Sequence, residues 1–255
     1  MQGLRPLILI SNDDGIAARG IHALAEVASE FADVVVVAPD GSYSAKSHSI
    51  TILDNLEVRS DGFPENYYAV KGTPVDCVKL ACHALVGRRP ALVLSGINHG
   101  PNTSVSVHYS GTVGAAREGA LLGITSCALS LDDSNHDADF SQAQIVARKV
   151  ISFLLSEVES GSSTKLYNVN IPAGKVDGFR VAPMGLGHWV EKPTHFTTPF
   201  AQSLYWLEGT FVLSDDSQSS NNDETLLRQQ VATITPLLID VTDYAQLKRL
   251  EQIEW

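Results

Sequence analysis

The chain predicts an α/β fold: a Rossmann-like, mostly parallel sheet with helices on both faces, followed by an extended C-terminal hairpin and helix arm. Three observations carry that expectation. Short β-branched and leucine-rich runs alternate with segments of helical periodicity through the first half, as parallel strands joined by crossover helices require. The first run, Leu7-Ile8-Leu9-Ile10, is apolar at every position, which fits a strand covered on both faces. The C-terminal part changes character, with aromatic stretches punctuated by Gly and Pro instead of further crossovers.

Taken in order, residues 6–11, 33–38, 91–95 and 126–131 are expected as strands. Between them, 20–31, 74–86 and 112–123 carry apolar side chains at helical spacing, and Pro74 suits a first helical turn. Residues 49–70 read as an antiparallel insertion of short strands at 50–53, 56–59 and 67–70. A long amphipathic helix is expected over 141–157 and a further strand over 165–171. This divides the chain into a Rossmann-like core, 1–176, and a C-terminal extension, 177–255. Within the extension, 196–200 and 204–207 suggest hairpins, 213–225 a solvent-exposed polar connection, 231–241 a strand and 244–253 a closing helix. An arm of that kind offers a surface for a second subunit.

Composition narrows the function. With 18 basic and 29 acidic residues the formal net charge is −11, which argues against a nucleic-acid polymer as partner. An anionic substrate would need local compensation. The three cysteines, Cys77, Cys82 and Cys127, make no CxxC spacing, so neither a disulfide framework nor a thiolate zinc site is expected. The N-terminal apolar run is far shorter than a signal-peptide core or a membrane span. The expectation is a cytoplasmic protein with no membrane partner.

The first strand breaks directly into Asn12-Asp13-Asp14-Gly15. Adjacent carboxylates repel and are costly without a compensating cation or donors. The junction is therefore either a divalent-metal site or a plain acidic turn, for which all these residue types are suited. In doubly wound sheets ligands bind beyond the carboxyl ends of the strands, and two further loops end there, 39–44 with Ser44, and 95–102 with Asn98 and Asn102. Their oxygens are hard donors suited to magnesium, manganese or calcium, although each Ser or Asn singly serves equally well in a turn. A fourth loop, 108–113, leads into a helix through Ser110, Gly111 and Thr112. Free backbone amides and the dipole at such a start attract phosphate; an ordinary Ser or Thr cap is the alternative. Lys46 and His48 lie in the Ser44 loop, where they could approach an anion, and His99 and His108 could donate protons. No HExxH spacing occurs, so no zinc site is expected.

Together, the stretches 11–16, 37–40 with Ser44, 72–78, 95–98 and 109–113 resemble the motifs of the SurE (survival protein E) family, metal-dependent phosphatases acting on nucleoside monophosphates. The resemblance covers most landmarks from residue 7 to residue 131. It implies a Rossmann-like core, a C-terminal arm used in a homodimer or homotetramer, and one divalent cation per subunit, Mg2+ or Mn2+. Carried over residue by residue, the metal ligands fall on Asp13, Asp14, Ser44 and Asn98. The implied activity is that of a 5'-nucleotidase hydrolysing nucleoside 5'-monophosphates, with 3'-monophosphates and polyphosphate as further substrates. Asp13 and Asp14 are then the catalytic pair, and Asn12, Ser44, Asn102, Ser110, Gly111 and Thr112 the substrate-binding set. Two departures stand out: Ala45 occupies a position the family often gives to Gly, and 103–108 replace a stretch often rich in Gly and Asp. Two alternatives remain. One is a phosphatase with Asp13 as covalent nucleophile, through an aspartyl phosphate. The other is a receiver-like magnesium-binding signalling module, whose phospho-accepting Asp should end the third strand, where this chain has Ser95-Gly96-Ile97-Asn98.

Overall fold

Strand β1 (Leu7–Ser11) is buried at every residue, and its alternating side chains feed two different cores. Ile8 and Ile10 pack on one face of the sheet and Leu9 on the other, the period-2 alternation of a strand covered on both sides. The structure, a computed structural model, describes residues 4–163, 165–200, 202–218 and 221–253.

After β1 come α1 (Arg19–Ser29), β2 (Asp33–Pro39), β3 (Glu57–Arg59), β4 (Tyr67–Lys71), α2 (Pro74–Leu80), β5 (Leu92–His99), α3 (Gly111–Leu121), β6 (Thr125–Asp132), α4 (Ser141–Ser160) and β7 (Leu166–Pro172). The C-terminal part adds β8 (Gly178–Val181), β9 (Gly187–Thr197), β10 (Ser203–Leu213), α5 (Asp215–Gln218), α6 (Asp223–Arg228), β11 (Val231–Leu237) and α7 (Tyr244–Leu250). A π turn, Ala81–Leu85, extends α2, and a 3-10 turn, Ser104–His108, precedes α3.

Among the described residues, nine strands form one sheet in the order β3-β4-β2-β1-β5-β6-β7-β11-β8. The strands from β4 to β7 in that order pair in parallel, while β3 is antiparallel to β4 and β11 to β7. On one face, Ile21 and Leu24 of α1 and Val146 and Leu154 of α4 join Ile8, Ile10 and Leu94. On the other, Val78 of α2 and Ala115 of α3 pack with Leu9, Val37 and Val93. Each fully buried aliphatic side chain of this kind contributes about 1.5–3 kcal/mol. Helix α2 starts where the sequence places it because Thr73 and Asp76 close a capping box ahead of Pro74.

Three expectations need correction. The strand expected over 50–53 does not form; Ile52 and Leu53 are exposed, and Thr51 instead binds Asp76 through both its N–H and its hydroxyl. Only β3 of the insertion is antiparallel, since β4 pairs parallel to β2. The stretch 213–225 is polar without being an exposed connection: Leu213, Ser217, Asn222 and Asp223 are buried. Its polar side chains cap α6 and bind backbone, as when Asp223 accepts from Ser104 N at 3.0 Å and Gly185 N at 2.8 Å.

Beyond residue 177, β8 and β11 continue the main sheet past β7, which covers an edge that would otherwise be left open. The β9–β10 ribbon forms a separate two-stranded sheet, exposed along nearly its whole length. Helix α7 buries none of its residues. No helix among the described residues is long and apolar enough to cross a membrane.

Candidate active site

The chain winds from β1 out through β2 to β4, then returns to β5 on the other side of β1. The carboxyl ends of β1 and β5 therefore flank the switch point at which doubly wound sheets bind ligands. Asp13 and Asp14 follow β1 there, and Asn98 sits near the end of β5, beyond a register shift between Ser95 and Asn98. A bulge of this kind re-aims the side chains that follow it.

Helix α3 closes the site from the other side. Ser110 is its N-cap, accepting from Val113 N at 3.1 Å. A Cβ on Gly111 would lie 2.8 Å from the Asp13 Cβ and 2.9 Å from its Oδ2, so only glycine lets the helix start this close to the carboxylate. Thr112 donates its hydroxyl to Asp13 Oδ1, and the Thr112 hydroxyl oxygen also lies 3.2 Å from Asn98 Oδ1. Asn98 Nδ2 is spent on the carbonyls of His99 and Gly100, at 3.2 and 2.7 Å, which turns Oδ1 towards Thr112. Asp14 Oδ2 accepts from His99 N at 3.2 Å. Three of the four expected metal ligands, Asp13, Asp14 and Asn98, are thus linked through Thr112 and the end of β5. The fourth, Ser44, is exposed, and its hydroxyl lies 3.0 Å from that of Ser42. Its loop is tied to the site by Tyr43 N, which donates to Asp13 O at 2.7 Å.

The substrate-binding candidates separate by environment. Asn12 is fully buried, and its amide closes the turn on Gly15, donating to the carbonyl at 2.9 Å and accepting from the N–H at 3.1 Å. It shapes the turn that presents the two aspartates. Asn102 is anchored by Asn170 Oδ1, Asn168 Nδ2 and Ser130 Oγ. It also lines, with Ala45, Tyr109, Ser110, Trp189 and Glu191, a cleft of about 360 Å³. Ser110, Gly111 and Thr112 form the helix start itself. A larger cavity of about 720 Å³, between the start of α3 and β11, has a mostly apolar lining that includes Met184 and Leu237 and contains no carboxylate.

Burial pushes the Asp13 carboxyl up to about 6, against the lowering effect of the Thr112 hydroxyl bond, with the neighbouring Asp14 charge adding to the rise. Burial also raises Asp14, opposed by its bond to His99 N. Neither carboxylate has a Lys or Arg ion-pair partner among the described residues. The donor set is chemically suited to a hard divalent cation: two carboxylates, an amide oxygen held outward by its own nitrogen's bonds, and a hydroxyl nearby. No cluster of three or more His, Cys, Asp or Glu side chains able to hold a metal occurs among the described residues.

Three residues near the site fall in none of the sequence motifs. Trp189 and Glu191 reach the cleft from β9, far along the chain. Glu118 of α3 is buried and binds both His48 Nε2 and Lys79 Nζ at 2.9 Å. His48 therefore turns to a buried carboxylate and not, as its place in the Ser44 loop suggested, to an anionic ligand. The signal that could have found Glu118 is an acidic residue on an otherwise Ala- and Gly-rich helix face.

Comparison with known proteins gives the family and the fold. The family described as Survival protein SurE matches residues 8–191. A protein named 5'-nucleotidase SurE from Chlorobium luteolum is 39% identical over 254 residues, covering 98% of this chain and 97% of its own. One of the same name from Cytophaga hutchinsonii is 40% identical, covering 98% and 97%. The crystal structure of the SurE protein from Aquifex aeolicus superposes with a TM-score of 0.82 at 33% identity, over 96% of this chain and 98% of that one. Neither the receiver-like nor the aspartyl-phosphate alternative finds support in these relatives. Nearly full-length identity to named SurE proteins, on the same fold, places the chain in the SurE family.

Proposed function

We propose that the protein is a divalent-metal-dependent phosphomonoesterase that hydrolyses nucleoside 5'-monophosphates to nucleoside and phosphate, with 3'-monophosphates and polyphosphate as further substrates. The observation that carries the reading is the meeting of Asp13 and Asn98 oxygens at the single hydroxyl of Thr112 at the start of α3, with Asp14 held at the end of β5 by His99 N. One Mg2+ or Mn2+ per subunit would be held by Asp13, Asp14, Asn98 and Ser44. When bound, such a cation supplies charge stabilisation at the phosphoryl group.

The chain's own residues do the remainder. The backbone amides and dipole at the start of α3, with the hydroxyls of Ser110 and Thr112, receive the phosphoryl oxygens. Asn102, beside Ser110 in the same cleft, borders the phosphoryl site. One of the two aspartates takes a proton from the attacking water as the water oxygen bonds to phosphorus; the bond from phosphorus to the ribose oxygen breaks, and the leaving alkoxide takes a proton back from that carboxyl or from solvent water. The nucleoside occupies the cleft beside Ser110, where Tyr109 and Trp189 present aromatic faces and Glu191 a carboxylate. Aromatic faces accept any base, since every base has a π-face.

The finer setting follows from the surface. The β9–β10 ribbon exposes Trp189, Val190, Phe196, Tyr205, Trp206 and Leu207, and a lone two-stranded ribbon is marginal in water. We take this ribbon and α7 as the faces on which a homodimer or homotetramer assembles. Three free cysteines fit a reducing compartment, the cytoplasm. The reading is tested by phosphate release from a panel of 5'- and 3'-nucleotides and polyphosphate with Mn2+ present: turnover of 5'-monophosphates is expected. Turnover of none of them would overturn it.

A further inference from the structure

The loop that carries Ser44, residues 40–49, contains no helix or strand. Two of its residues with a Cβ, Ala45 and Ser47, sit in the left-handed region at φ 57° and 53°. That region is unfavourable for such residues, so the loop keeps its shape only where its surroundings over-determine it. Its start is held by Tyr43 N on Asp13 O. Its far end is held by the end of the 3-10 turn just before α3: Ser47 N donates to Tyr109 O at 2.9 Å, and Ser47 Oγ to His108 O at 2.6 Å. Gly114 permits the approach, since a Cβ there would lie 2.5 Å from Ser47 O.

One residue later the loop meets a buried charge. His48 Nε2 lies 2.9 Å from Glu118 Oε2, and Lys79 Nζ of α2 donates to Glu118 Oε1 at the same distance. The Glu118 side chain is only 6% exposed, against 24% for His48 and 45% for Lys79. The other buried positions of α3 are Gly, Ala, Val and Thr, and a carboxylate among them is costly unless both oxygens are paired. Helix α3 thus reaches the site twice. Thr112 binds Asp13, and Glu118, about 9 Å further along the helix axis, holds the far end of the Ser44 loop.

We infer that Glu118 is a positioning residue: acting through His48, it holds this loop in the conformation that presents Ser44 to the Asp13 and Asp14 carboxylates. The inference rests on Ser44 being a metal ligand, as in the proposed function. Lys79 neutralises the other oxygen of Glu118 but has no hold on the loop, which makes it the control for a purely structural role.

The test is Mn2+ binding to the chelator-treated full chain, read from the free-ion electron paramagnetic resonance signal, so that no turnover is needed. Ser44→Ala is expected to weaken Mn2+ binding. Glu118→Gln is expected to weaken it about tenfold in the wild-type background, a difference of about 1.4 kcal/mol. In the Ser44→Ala background the same change should cost less than about twofold, because residues acting through one contact are not additive. His48→Ala, at a partly buried side chain of the loop, reproduces the effect should Glu118→Gln disturb folding. Lys79→Met is expected to lower the melting temperature while leaving Mn2+ affinity within about twofold. If Ser44→Ala weakens binding but Glu118→Gln and His48→Ala do not, or cost as much with Ser44 absent, the positioning role is overturned and the ligand stands. If Ser44→Ala leaves Mn2+ binding unchanged, the ligand assignment fails, and the positioning role with it.

Discussion

Asp13→Asn should make the metal-free protein more stable while removing its activity. Asp13 is 4% exposed, and burial lifts its carboxyl from 3.8 to about 6. A carboxyl raised in this way favours the folded state when protonated; that contribution is complete below pH 3.8 and is lost as pH rises through about 6. At pH 8 the ionised group therefore costs the metal-free fold about 3 kcal/mol, at 1.36 kcal/mol per pH unit. Asparagine carries no charge to desolvate and can still accept the Thr112 hydroxyl. With chelator present at pH 8, its melting temperature should exceed that of the wild type by about 6–12 °C, at 2–4 °C per kcal/mol for a chain of this size. The gap should close by pH 4. With Mn2+ in excess the order should reverse, because binding to the folded state stabilises only the protein that retains the ligand. Thermal unfolding at both pH values, with and without Mn2+, reads all of this. A variant no more stable than the wild type at pH 8 without metal would show that the ionised Asp13 carboxyl does not strain the fold.

Three further outcomes follow from the geometry. Thr112→Val removes the hydroxyl bond that holds Asp13 down, so the pH at which Mn2+ binding is half-lost should rise by about one unit; an unchanged midpoint contradicts the role given to Thr112. Trp189→Ala should raise KM for nucleoside monophosphates by about 5- to 150-fold, from the 1–3 kcal/mol that base stacking contributes. KM for glycerol 3-phosphate should barely change, and an equal rise for both would remove Trp189 from the nucleoside cleft. Asp223→Ala strands the N–H groups of Ser104 and Gly185 and should cost about 3 kcal/mol in urea unfolding; a neutral result would show that α6 does not pin the segment before α3.

Much of the fold was legible because each core strand carries its own signal. Leu7-Ile8-Leu9-Ile10 is apolar on both faces because helices cover both faces, and the Thr73–Asp76 capping box marks the start of α2. The site was legible where its residues sit at strand ends and at one helix start, since topology alone brings such positions to one edge. What sequence could not show depends on contacts between distant residues. The apolar alternation of Ile50 and Ile52 reads as strand, yet Thr51 is held by Asp76 of α2 instead. The Ser- and Asn-rich stretch before α6 reads as exposed because composition does not distinguish a solvated polar side chain from one capping a helix or binding backbone, as Asn222 and Asp223 do. Glu118 meets His48 across 70 positions, and Trp189 reaches the cleft only because β9 returns over the start of α3. Neither pairing leaves a local pattern.

Metal-dependent hydrolysis at the junction of β1, β5 and α3 is read from phosphate release from AMP by the chain before chelation, after chelation, and after Mn2+ is restored. Turnover should vanish with the metal and return with it. Release that continues undiminished in excess chelator would contradict that dependence.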